Sequence, residues 1–307
     1  MFGRKAIGLE ISQDRVRTAL ISGSRMNPVF EGGFETPLPL ETVRVSLREP
    51  NILQPAAFVA AIRQTSLQLL ANTARTAVAL PDAAGRVMLL DLDTRFKSRD
   101  EAADVIRWKL KKNFPFDIND AHFDFQTLQE RESGEVSVLV SLVCRQVLNQ
   151  YEDLIVEAGL EPTQIDFTPF NVHELFAQRL SVDESYSFVC YFAGVISLLI
   201  FREGLLEFYR SKEIPGLSFS ANRVFRELSS SLLVFQDKNQ GSMLGKVFCF
   251  VAPEQSEEFR SLTAEATGQE PVMLDVERII TRGATCTSDR STVAAMTAAM
   301  GAAVRVL

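Results

Sequence analysis

Apolar positions along this chain alternate between a period of two and a helical period, and the order of the switches repeats. Residues 6–36 predict a three-stranded meander, with Val16, Ala19 and Leu20 apolar in its middle strand and Ser22-Gly-Ser24 as a turn. A proline-bearing stretch from Pro37 to Pro55 predicts loop with one short strand. Pro55 then opens a helix at its first turn, where the missing N–H costs nothing, with Phe58, Ile62, Leu69 and Leu70 on its apolar face. Strands are expected at Arg75–Leu80 and Arg86–Leu92. Ser98-Arg-Asp-Glu101 is a capping-box pattern for a second helix, whose apolar face is Ala102, Val105, Ile106 and Leu110. Ala121–Gln129 and Val136–Cys144 form a strand pair around Arg131–Gly134. A helix follows through Val147, Leu148, Tyr151, Leu154, Ile155 and Ala158, closed by Gly159 and Pro162. Ile165–Phe167 is a short strand, and Thr168 caps a helix with Pro169 at its first position.

The polar stretch Ser181–Ser185 marks a boundary, after which the pattern starts again. Phe188–Phe201 predicts a hairpin, Arg202-Glu-Gly204 a turn and Leu205–Arg210 a third strand. Ser220 precedes a helix with Ala221, Val224, Phe225, Leu228, Leu232 and Phe235 on one face. A strand at Lys246–Ala252, a helix at Glu257–Thr267 ending at Gly268, a strand at Val272–Leu274 and an alanine-rich helix at Thr292–Val306 complete the reading. Hairpins that open two strand–helix arrays predict an α/β fold of mixed sheets flanked by helices. The two arrays divide the chain into lobe I, residues 1–183, and lobe II, residues 184–307.

Composition narrows the chemistry. The net charge of −7 gives no footprint for general nucleic-acid binding. No apolar run approaches the roughly 20 residues of a membrane span, and no signal-peptide core follows Met1, so the expected location is cytoplasmic. Cys144, Cys190, Cys249 and Cys286 are scattered, and His122 and His173 are the only histidines. A zinc site, a disulfide framework and histidine-dependent nucleophilic catalysis therefore lack material. Lys109, Lys111 and Lys112 cluster at a predicted helix end, where cations suit the helix dipole and expose themselves to solvent. Trp108, Phe114 and Phe116 read as core aromatics.

The two strand–turn–strand units, Ala6–Ile21 and Phe188–Phe201, are similar to the duplicated phosphate hairpins of actin-like ATPases. Several segments carry a closer resemblance. Ile7-Gly-Leu-Glu-Ile11, Asn113-Phe-Pro-Phe-Asp-Ile118 with Phe123-Asp-Phe-Gln126, Val138–Cys144 with Tyr151, Ala158-Gly-Leu160 and Ile165-Asp166, and Ala299–Arg305 occur in the order found in the PilM family of type IV pilus assembly proteins. That family is FtsA-like and belongs to the actin-like superfamily. The resemblance implies two actin-like lobes with an inserted subdomain over about residues 85–164. It also implies a cytoplasmic platform, peripheral at the inner membrane. Its partner would be the N-terminal tail of a single-pass, PilN-like inner-membrane protein, held in a groove between the main and inserted subdomains.

The nucleotide devices depart from the family's pattern. Glu10 stands where the family has Asp, and Ser12 where it has a glycine that lets phosphate approach. Tyr191-Phe-Ala193 aligns with the second Asp-Ile-Gly, placing a tyrosine in the cleft without an acid. Ala252-Pro-Glu-Gln255 replaces the Gly-Gly turn near the adenosine. These losses predict an adaptor that is not an enzyme, with no cofactor and no catalytic or metal residues. The alternatives are an ATP-binding protein, with Glu10, Ser12, Gln13, Arg17 and Gly194 as remnant contacts for Mg·ATP, and the cytoplasmic domain of a type II secretion L-type or MshI-type protein.

Overall fold

The computed structural model describes residues 4–111, 117–216, 218–239, 241–284 and 286–307. Lys112, Phe114, Phe116 and the Asn113–Phe116 part of the motif lie outside the described residues. The first lobe contains β1 (Arg4–Ile11), β2 (Arg15–Ser24), β3 (Asn27–Pro37), α1 (Pro55–Gln68) and β4 (Arg75–Leu80). An inserted unit follows, with β5 (Gly85–Leu92), α2 (Arg99–Leu110), β6 (Ala121–Glu130) and β7 (Val136–Cys144). The chain returns through α3 (Arg145–Glu157), β8 (Glu161–Phe167) and α4 (Thr168–Leu180). The second lobe is β9 (Tyr186–Phe192), β10 (Val195–Arg202), β11 (Leu205–Glu213), α5 (Ala221–Lys238), β12 (Lys246–Phe250), α6 (Ser256–Thr267) and β13 (Val272–Met273). The last elements are β14 (Thr281–Arg282), α7 (Arg290–Ala295) and α8 (Thr297–Val304).

Three sheets result, ordered β14-β3-β2-β1-β4-β8, β11-β10-β9-β12-β13 and β5-β7-β6. Each large sheet begins with antiparallel hairpins and continues with parallel strands, β1 beside β4 and β9 beside β12. The mixed α/β architecture expected from the hairpin-then-helix pattern is therefore present.

Two boundaries differ from the expected ones. The chain after residue 280 leaves the second lobe: β14 pairs with β3, and α8 packs on β1, β2, β4 and α4. The inserted sheet closes at Cys144, because α3 shares a core with β1 and α1 and β8 pairs with β4. The end of the expected 85–164 insert thus belongs to the first lobe's own layers.

The return of α8 explains the composition of its neighbours. Alternation along β1 turns Ile7, Leu9 and Ile11 toward α1 and α3, and leaves Ala6, Gly8 and Glu10 on the opposite face. A Cβ at Gly8 would collide with the carbonyl of Ala299, and one at Gly301 with the carbonyl of Asn171 in α4. Glycine and alanine thus let α8 lie directly on the sheet and on α4. The same buried cluster takes in Phe188 and Cys190 of β9, so the two lobes share one apolar core. The expected single C-terminal helix breaks at Met296 into α7 and α8.

Local details also moved. Ser98 accepts from the Glu101 amide as its capping pattern required. Leu70 lies beyond the end of α1, exposed, with φ of 48°. Thr168 and Ser220 make no side-chain cap; the Thr168 hydroxyl instead donates to the Leu80 carbonyl across the sheet edge.

Candidate functional site

Two concave sites stand out, one between the lobes and one beside the insert. The inter-lobe pocket is lined from the first lobe by Glu10, Ile11, Ser12, Gln13, Pro81, Asp82, Thr168 and Pro169. The second lobe contributes Cys190, Phe192, Ala193, Val195, Ser197 and Glu213. The two hairpin turns thus face each other across the pocket.

Glu10 is only 1 % exposed, at the C-terminal end of β1. The hairpin register sets it opposite Arg17, which in turn lies opposite Glu35. Arg17 Nη1 donates to Glu10 Oε2 at 2.8 Å, and Arg17 Nε donates to Glu35 at 3.0 Å. Burial pushes the Glu10 carboxyl above its ordinary value, while the Arg17 guanidinium pulls it back. The acid that would organise a metal ion is therefore already matched by an internal cation. Arg15 extends the network, bridging Asp14 and Glu35 at 2.9 and 3.1 Å. Its hydrogen bonds to Arg15 and Ser12 hold the Asp14 carboxyl below the usual range against the cost of burial.

The first turn uses its own donors. The Ser12 amide donates to the Arg15 carbonyl at 3.0 Å, and the Ser12 hydroxyl reaches Asp14 and the same carbonyl. Ser12 does not adopt positive φ, so its Cβ does not strain the turn. The strain sits in the second turn, where Ala193 and Gly194 have φ of 49° and 79°. Both central residues at positive φ define the tight hairpin geometry, and alanine there costs about 1 kcal/mol.

Tyr191 is also corrected. It faces away from the cleft, edge-on to Phe219 at 5.1 Å in the core beneath α5. Its neighbour Phe192 faces the cleft, with the Arg17 guanidinium 5.9 Å from its ring centre. The second lobe therefore offers an aromatic ring opposite the Glu10–Arg17 pair. Of the five expected contacts, Glu10, Ser12 and Gln13 line the pocket, Arg17 stands behind Glu10, and Gly194 is not among the lining residues.

Sequence reading missed a contact that joins the lobes. The Tyr209 hydroxyl of β11 lies 2.7 and 2.6 Å from the two carboxylate oxygens of Asp82, in the turn after β4. Burial raises the Asp82 carboxyl, and the Tyr209 ring packs on Phe170 of α4 at 4.8 Å. Asp82 directly after Pro81 at a strand end was the available signal; its partner lies too far along the chain to be inferred from spacing. Among the described residues no group of three His, Cys, Asp or Glu is placed to hold a metal, and no helix is long and apolar enough to cross a membrane.

The second site is an open groove. Arg48 and Pro50 come from the loop before α1, Asp117 and Asp120 from the short turn before β6, and Cys144, Arg145, Gln146, Asn149, Gln150 and Asp153 from the β7–α3 junction. The Gln150 side chain pins one wall, accepting from the Ile52 amide and donating to its carbonyl at 2.9 and 2.8 Å.

Two lobes that each begin with a strand–turn–strand hairpin and face each other across a cleft, with the C-terminal helix returning from the second lobe onto the first, are the build of the actin-like class. The profile of the family described as type IV pilus assembly protein PilM matches residues 8–223, and the chain belongs to that family. Among solved structures, the chain is similar to a PilM–PilN type IV pilus biogenesis complex, with TM-score 0.82, 19% identity and 98% of each chain covered. A Bacteroides thetaiotaomicron protein with an actin-like ATPase fold and unknown function follows at TM-score 0.55 and 10% identity, covering 89% of this chain and 91% of that one. The cytoplasmic domain of EpsL from the Vibrio cholerae type II secretion system gives 0.52 and 10%, with 96% and 94% covered. No curated sequence gives a significant match.

Proposed function

We propose that this chain is a non-catalytic adaptor of a type IV pilus assembly machine. It holds the N-terminal cytoplasmic tail of a PilN-like, single-pass inner-membrane protein, and so works in the cytoplasm at the membrane surface. The observation that carries this reading is the Glu10–Arg17 pair at 2.8 Å. It fills the acid position of the nucleotide cleft with an internal cation, while the family and the fold are retained. The Ser12 amide is bonded within its own turn, which takes one backbone donor from a phosphate, and the apolar Phe192 ring lines the cleft from the second lobe. Neither ATP nor Mg²⁺ is needed for such a role, and no hydrolysis follows from it.

The tail lies in the groove between the insert and α3. Asp117, Asp120 and Asp153 line it together with Arg48, Arg145, Gln146 and Asn149. These groups suit an extended peptide whose backbone meets the amides and whose basic side chain meets the three carboxylates. Fluorescence anisotropy of a labelled tail peptide tests this. The peptide binds the wild-type chain, and Asp120→Lys with Asp153→Lys weakens it at least tenfold, because two attractive charges become repulsive. Unchanged affinity in the double variant sinks the groove assignment.

A further inference from the structure

The chain's single tryptophan is not in a core. Trp108 is 78 % exposed on α2 of the insert, against the expectation that it is a core aromatic. The helix explains why. Ala102, Ile106 and Leu110 already fill the face that packs against the inserted sheet, and Trp108 lies on the other side with Asp104 and Lys111. Among the described residues this leaves a large apolar ring facing solvent.

Its surroundings are basic. Arg107, Lys109 and Lys111 flank it in the last turn, within a chain of net charge −7. Arg107 is anchored by Asp104 at 2.9 Å and lies over the Phe123 ring at 5.0 Å. Lys109 donates to the Asp91 carbonyl, and all three cationic side chains remain exposed. The helix dipole accounts for cations at this end. It does not account for an exposed indole set among them.

We propose that the C-terminal turn of α2 docks on an anionic lipid surface. An indole with its polar N–H at one edge is suited to the headgroup boundary, and lysine and arginine beside it are attracted to anionic headgroups. The charges would hold the turn at the surface while Trp108 enters the boundary. One ring and three cations make a weak, reversible contact, which orients a protein already brought to the membrane by other means. The proposal needs neither the partner tail nor the groove, so its test stands apart from the adaptor reading.

Because Trp108 is the only tryptophan, its emission reports this turn alone. The full chain is titrated with vesicles of phosphatidylethanolamine and phosphatidylglycerol, and separately with phosphatidylcholine vesicles. The anionic vesicles shift the emission to shorter wavelength, shield it from acrylamide and sediment the protein; raised salt reverses all three. Lys109→Gln with Lys111→Gln weakens partitioning about thirtyfold, from the usual contribution of each surface cation. Trp108→Ala, followed by sedimentation and checked for its fold by circular dichroism, weakens it several-fold. Unchanged emission and no sedimentation with anionic vesicles overturn the proposal. So does equal binding to phosphatidylcholine, or a shift that appears only when the partner's tail peptide is added, which would make this face a protein contact.

Discussion

Replacing Arg17 by alanine isolates what the cleft has become. Glu10 loses the partner of its Oε2, and its Oε1 already lacks one, so a carboxylate at 1 % exposure is left bare. Breaking a buried ion pair by removing one member costs about 3–5 kcal/mol. For a chain of this length, about 4 kcal/mol lowers the melting temperature by about 6 °C. Part of the loss is relieved by protonation, since burial then raises the Glu10 carboxyl further without Arg17 to oppose it. A carboxyl raised in the folded state stabilises below its unfolded value of about 4.3 and loses that stability as pH rises through its folded value. The deficit of Arg17→Ala is therefore larger near neutral pH than at about pH 5. Scanning calorimetry on the wild type, Arg17→Ala, Glu10→Gln and the combination Glu10→Gln with Arg17→Leu measures it. The combination lies within about 1 kcal/mol of the wild type, because no bare charge remains. A cost for Arg17→Ala below about 1 kcal/mol, or a deficit that grows toward acid, refutes the pairing as described.

Tyr209→Phe strips Asp82 of its hydroxyl partner and costs about 1–3 kcal/mol in urea unfolding, whereas Tyr209→Phe combined with Asp82→Leu recovers most of it. Burial and Arg305 push His173 down to about 3, so it stays neutral in the fold. Its unfolded form takes up a proton near pH 6.5, and stability falls as pH drops from there toward about 3. His173→Gln, which keeps a partner for the Tyr186 hydroxyl, flattens that acid limb in pH-dependent melts. Gly301→Ala drives a Cβ into the Asn171 carbonyl and lowers stability by about 1–3 kcal/mol or more by denaturant titration, while Gly32→Ala, with open space around it and no positive φ, costs less.

Local signals carried much of this fold. The meander at residues 4–37, the capping box at Ser98 and the α3 face through Tyr151 follow from residue periods and cap chemistry that act within a few positions. The Glu10–Arg17 pairing was within reach too, since the tight turn at Ser12–Arg15 fixes the register that sets them opposite. What was not legible depends on distant partners. Nothing near Thr281 says that it returns to β3, and nothing near Tyr209 says that Asp82 waits in the other lobe. Periodicity also places a residue on a face without naming its neighbour. Tyr191 turns into the core and leaves the cleft to Phe192, because a strand alternates sides at each residue. Trp108 was misplaced for a related reason, since the buried stripe of α2 was already complete without it.

The central claim is that function has moved from the cleft between the lobes to the groove beside the insert. Calorimetric titration of the membrane partner's N-terminal tail peptide into the chain, with and without millimolar Mg·ATP, tests it most directly. The account predicts one saturable site whose affinity nucleotide leaves unchanged, and no heat from Mg·ATP alone. A tail that binds only with Mg·ATP, or does not bind while Mg·ATP does, would contradict it.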